Sequence, residues 1–293
     1  MNTVCQNKKG FSLCLAVGVF SCTVLLGQSV TPLSEVKKNQ APARTTELLD
    51  LKKFPGALVQ QVVVPVPGEI FSVLDKLGEQ DWSSEISIPK RKVATDRVRL
   101  ALVFGCTVAE GFVTVEAEDR KAIQNTGRRV LRLADTLGLK SAVLPHSQSI
   151  IDSADSGDWN AVRRGFDQTQ VTVKKTMEKM RDEEIATLVS LGGWLRGTTA
   201  LTRLIAESYS SDRAELLNQP DLVAYFIVVI DGMKVEIKEQ ADVKVIHEGL
   251  REIERIMEEG QGGISEGAVS SIGAICLSLL QRFYFDEEPQ SES

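Results

Sequence analysis

Charged side chains set where a helical pattern calls for burial are the residues of this chain with the clearest chemical potential. Glu110 lies between Ala109 and Gly111 in the most apolar helical stretch, and Glu184 shares a stripe with Met177, Met180 and Leu188. A carboxylate buried without a partner costs several kcal/mol or takes up a proton, so each calls for a cation. Arg196 and Arg203, on and just beyond Gly192-Gly193-Trp194-Leu195-Arg196-Gly197, are the natural suppliers. Such a pairing serves either as an internal salt bridge that fixes helix register or as part of a pocket for a small anion or carboxylate. In the second case glycine backbone, the Trp194 ring and the Arg196 guanidinium line the pocket together.

The glycines of that stretch sharpen the question. Inside a helix each costs about 1 kcal/mol relative to alanine, so something compensates. Close packing would do so, with Gly193 and Gly197 spaced to face one neighbour, and packing is the favoured reading.

Little other chemistry is visible. There are two histidines, His146 and His247, and neither has a glutamate three residues before it, so the di-iron signature of ferritin-like bundles is missing. No zinc-spaced Cys/His set, nucleophile elbow, Walker loop, dinucleotide fingerprint or haem attachment motif is present. His146, beside Pro145 in what reads as a loop from Gly138 to Ser147, is expected to be a surface or capping residue. These observations point to no cofactor, no metal and no enzymatic activity.

The elements that must position these residues are two long helical patterns. From about Lys90 to Leu137, Val93, Leu100, Phe104, Val108, Val115, Ala122, Leu133 and Leu137 share one face. Between Leu100 and Val115 the pattern is apolar almost all round, the mark of a helix with neighbours on several sides. Ala101, Gly105 and Ala109 repeat every four residues and would admit another backbone closely. The charges Arg99, Glu110 and Glu116 argue against a membrane span here. The second pattern starts at Asp158, a plausible N-cap, and runs through Phe166, Val173, Met177, Met180, Leu188, Leu191, Leu195 and Ile205 to Tyr209, unbroken or interrupted near Gly192-Gly193.

Shorter elements complete the reading. A helix is expected from Gly68 to Leu77, a short one from Ser149 to Asp155, another after Asn218-Gln219-Pro220-Asp221 and an amphipathic one from Lys244 to Glu259; a last helix buries Val269, Ile272, Cys276, Leu279 and Phe283. An internal echo, Asp75 with Asp81-Trp82 and Asp152 with Asp158-Trp159, suggests a duplicated unit of short helix then aspartate-capped long helix. The plainer account is that an aspartate before an aromatic opens helices well.

Ahead of this lies an address. Lys8 and Lys9 precede an uncharged, largely apolar run from Phe11 to Leu26 and a small-residue exit at Gly27-Gln28-Ser29, the layout of a signal peptide spanning 1–29. Cleavage is favoured over a retained anchor because the run is shorter than the roughly 20 residues of a spanning helix. Lipidation at Cys22 is disfavoured by the bulk of Phe20 and by the apolar Val24-Leu25-Leu26 that follows. Residues 30–67, punctuated by Pro32, Pro42, Pro55, Pro65 and Pro67, read as a Pro-rich stem, residues 68–285 as an all-helical domain and 286–293 as an acidic disordered tail.

Composition bounds the partners. The formal net charge is −6, and removing residues 1–29, which carry Lys8 and Lys9 and no acid, makes it −8. An acidic chain argues against nucleic acid. Only Cys106 and Cys276 survive cleavage, each in an apolar helical pattern, so two buried free thiols are expected rather than a disulfide framework.

The resulting expectation is an all-α bundle of about seven helices, two of them long, behind a signal peptide and a stem. Its function is expected to be non-enzymatic: association with another envelope protein or with itself, in the periplasm or outside the cell, touching membrane only through a retained or lipidated N-terminus. The alternative is a binding or sensor module for a small anion or carboxylate, with its pocket between the two long helices around Glu110, Glu184, Trp194, Arg196 and Arg203.

Overall fold

The computed structural model describes residues 56–59, 62–65, 67–89, 96–180, 182–260 and 263–285. The signal peptide, most of the stem and the acidic tail lie outside these residues, as does the expected helix start near Lys90. The described residues fold as a helical bundle, with one short antiparallel pair, β1 (Gly56–Val59) and β2 (Val62–Pro65), in register Gly56↔Pro65 to Val59↔Val62.

Eleven α-helices are present among the described residues, not about seven. They are α1 (Pro67–Leu74), α2 (Arg97–Glu116), α3 (Arg120–Leu137), α4 (Lys140–Ser156), α5 (Trp159–Met180), α6 (Glu183–Glu207), α7 (Ser211–Ala214), α8 (Pro220–Gly232), α9 (Val235–Lys238), α10 (Ala241–Glu259) and α11 (Glu266–Phe283). Both long patterns are divided in two, which accounts for much of the difference. The first breaks after Glu116: Glu118 takes a left-handed φ of +51°, and Asp119 opens α3 by accepting hydrogen bonds from the Lys121 and Ala122 N–H groups, each 2.9 Å. The second breaks before Glu183, where Asp182 caps α6, and not at Gly192-Gly193, which lie in uninterrupted helix.

The loop expected around Pro145 is also corrected. Helix α4 begins at Lys140 and runs through Pro145, and the His146 Nε2 stands 2.9 Å from the Thr172 hydroxyl of α5. Its flanking reversals use Gly138 (φ +79°) and Gly157 (φ +78°), left-handed positions that suit glycine. The internal echo is not a duplicated unit. Asp158 opens the long helix α5, whereas Asp81 caps only a 3-10 turn, Trp82–Glu85, and α2 is opened by Asp96.

The core is the crossing of α2 and α6. Helix α2 is long and apolar enough to cross a membrane, but 83% of its most apolar window is buried inside the protein. On one side α3 packs on α2, α4 on α3, and α5 on α4; on the other α11 packs on α6, and α10 lies against α8 and α11. Arg99 of α2 donates to the buried Asp242 of α10 at 2.7 Å and ties the two sides together.

Candidate functional site

Two glycines set the α2–α6 distance. A Cβ on Gly105 would lie 1.9 Å from the Val189 carbonyl oxygen, and one on Gly192 would lie 2.1 Å from that of Leu102, so the two backbones touch where side chains are missing. Gly192 supplies the tightest approach, Gly193 also faces Gly105, where its Cβ would lie 3.4 Å from the carbonyl oxygen, and Gly197 takes no part in the packing. Cys106, next to the crossing, donates its thiol to the Gly192 carbonyl at 3.2 Å, and burial pushes its pKa up.

On one face of the crossing lies a buried charge cluster. The Arg196 Nε donates to Glu110 Oε2 at 2.7 Å, and both side chains are 1% exposed. The other Glu110 oxygen accepts the Ser87 N–H, and an Arg196 Nη2 donates to the Glu85 carbonyl. Burial raises the Glu110 pKa, and the Arg196 charge with the Ser87 N–H offsets only part of that. Arg203 approaches from the exposed side, its Nε 3.3 Å from Glu85 Oε1, close enough for an ion pair but out of hydrogen-bond alignment. Glu85 is itself buried, and that burial raises its pKa. Tyr284 is buried too; its phenol is pushed well up, first by burial and then by the Glu110 charge.

The remaining two candidates stand elsewhere. Glu184, at the start of α6, accepts from the Lys234 N–H at 2.7 Å and from its Nζ at 2.9 Å. Partial burial works against its charge, but those bonds outweigh it and lower the pKa. Trp194 points away from Arg196: its Nε1 donates to Gln219 Oε1 at 3.1 Å, and its ring sits 6.0 Å from that of Phe226. Sequence reasoning thus brings Glu110, Arg196 and Arg203 to one place and wrongly adds Glu184 and Trp194. It missed Glu85, which follows the Asp81 cap at no spacing that marks it as buried.

A cavity of about 300 Å³ occupies the space on the Trp194 side. Its walls come from α1 to α6 and α8, with Phe104, Phe112, Phe166, Val189, Trp194 and Leu201 among them. Neither Glu110 nor Arg196 lines it. Two wall positions are notable for what they lack: a Cβ on Gly127 of α3 or on Gly197 of α6 would meet nothing within 4 Å. Packing does not explain these helix-interior glycines, whereas open volume does. No sequence signal separated these aromatics from ordinary core, because cavity wall and packed core share the same apolar stripe.

The wall gives the cavity its chemistry. Among the described residues lining it none is Asp, Glu, Lys, Arg or His; the hydroxyls of Ser147 and Thr169 are spent on carbonyls of their own helices, while the buried Thr126 hydroxyl has no hydrogen-bond partner. Nor do the described residues bring together three or more His, Cys, Asp or Glu side chains as a metal site. The arrangement can hold an apolar molecule and offers it no acid or base. Compared with known protein families, curated proteins and solved structures, the chain matches none.

Proposed function

We propose that this chain is an exported, non-enzymatic binding protein whose ligand is a small apolar molecule held between α2, α3, α5 and α6. The carrying observation is the aromatic-rich cavity of about 300 Å³, whose described lining residues carry no charge, at the size at which small-molecule sites begin. A ligand that fits this space and binds only the folded chain will raise its stability with ligand concentration by mass action. The Glu110–Arg196 pair, shielded on the opposite face, serves this reading as the register pin of the helices that form the walls. Association with a partner has less behind it: of the exposed large apolar side chains among the described residues, Leu144, Val171, Tyr209, Val228, Val235 and Leu277, no two fall on one helix.

The test is titration with an uncharged environment-sensitive dye, N-phenyl-1-naphthylamine. Saturable binding of one dye per chain, lost in Gly197→Leu with helicity preserved, supports the reading. Absence of saturable binding to the wild type overturns it.

A further inference from the structure

We infer that the cavity takes an uncharged, unbranched hydrocarbon chain of about twelve carbons, such as a lipid's aliphatic tail; this inference rests on the binding function proposed above. Three observations lead there. The first is length. The wall follows α2 from Phe104 to Val113 and α6 from Val189 to Leu201, and the latter stretch covers about 18 Å at 1.5 Å per residue. A volume of about 300 Å³ whose wall runs that far along one helix suits a ligand extended along it, as a hydrocarbon chain is.

The second is capacity. An apolar cavity of about 150 Å³ holds benzene, so twice that volume holds about twelve carbons at the same filling. The third is charge. No described lining residue is ionisable, and a carboxylate or ammonium carried into such a site would lose its hydration with nothing in return. The polar wall groups near the Trp194 end already satisfy one another, the indole donating to Gln219 and the Gln219 amide to the Leu216 carbonyl. Gly127 and Gly197 lie in its wall on α3 and α6, and a Cβ at either would meet nothing within 4 Å.

The experiment is displacement of N-phenyl-1-naphthylamine by 1-alkanols from hexanol to hexadecanol, with dodecanoate at neutral pH beside dodecanol. For the wild type, affinity is expected to rise about fourfold per methylene up to about twelve carbons and then level off. Dodecanoate is expected to displace at least tenfold more weakly than dodecanol. Gly127→Leu, on a different helix from Gly197→Leu, should keep a weakened dye site and move the levelling point to shorter chains. Dye binding that Gly197→Leu abolishes but no alkanol displaces would overturn the chain inference and leave the apolar site standing. Affinity without dependence on chain length, or dodecanoate equal to dodecanol, would overturn it as well, and failure of the dye to bind would overturn both.

Discussion

Arg196 of α6 and Glu110 of α2 meet at 2.7 Å with both side chains shut away from solvent, 86 residues apart in the chain. Removing one partner leaves the other charge buried and alone, at a cost of about 3 to 5 kcal/mol. Arg196→Leu should therefore lower the urea midpoint strongly, and the double variant Glu110→Leu with Arg196→Leu should recover part of the loss. A single variant as stable as the wild type would show that the pair does not pin the two helices.

Three glycines of the crossing helices α2 and α6 should respond in opposite directions. Gly105→Ala and Gly192→Ala drive a methyl into backbone carbonyls at 1.9 and 2.1 Å and should destabilise severely. Gly197→Ala meets nothing within 4 Å and should gain up to about 1 kcal/mol of helix propensity. Thermal unfolding reads both signs, with the gain visible as a rise of about 2 to 4 °C.

Stability should fall as the pH rises from 5 to 7.5. Glu116 is almost buried, and burial raises its pKa from 4.5 to about 7 despite Arg163 at 2.8 Å. A carboxyl whose pKa is higher folded than unfolded binds its proton more tightly in the folded state. Its contribution is complete below about pH 4.5 and is lost as the pH climbs through 7, a change of about 3 kcal/mol. Glu85 and Glu110, also raised, act with the same sign. Urea midpoints at the two pH values should differ in the wild type and differ by less in Glu116→Gln; an unchanged difference in the variant would contradict the assignment.

Cys106 and Cys276 are free, buried and held up by burial, Cys276 to about 12. Alkylation of the folded protein at pH 8 should leave both unmodified, and both should react in denaturant, as peptide masses will show.

The sequence made the helical architecture readable through its stripes, because apolar residues at the 3.6 period have to be buried. Where the readings failed, the stripe itself misled. Val115 to Ala122 and Met180 to Leu188 keep the period across two breaks, and the caps Asp119 and Asp182 look like ordinary surface acids until the backbone turns at them. Pro145 reads as a breaker, yet α4 absorbs it. For the charge cluster, burial of Glu110 was legible from its apolar neighbours, while Glu184 shares a stripe but sits at the end of the bundle, where Lys234 reaches it. The cavity was not legible at all. Its wall brings together residues far apart in sequence, Gly127 and Gly197 among them, a juxtaposition made only by the fold.

The central claim is that this volume receives an apolar molecule. Its most direct test is the native mass spectrum of the protein, wild type and Gly197→Leu, after incubation with a lipid extract of its own host. The account predicts a single non-covalent adduct on the wild type, lost on solvent extraction and missing from the variant. Bare protein in both spectra, or the same adduct on both, would contradict it.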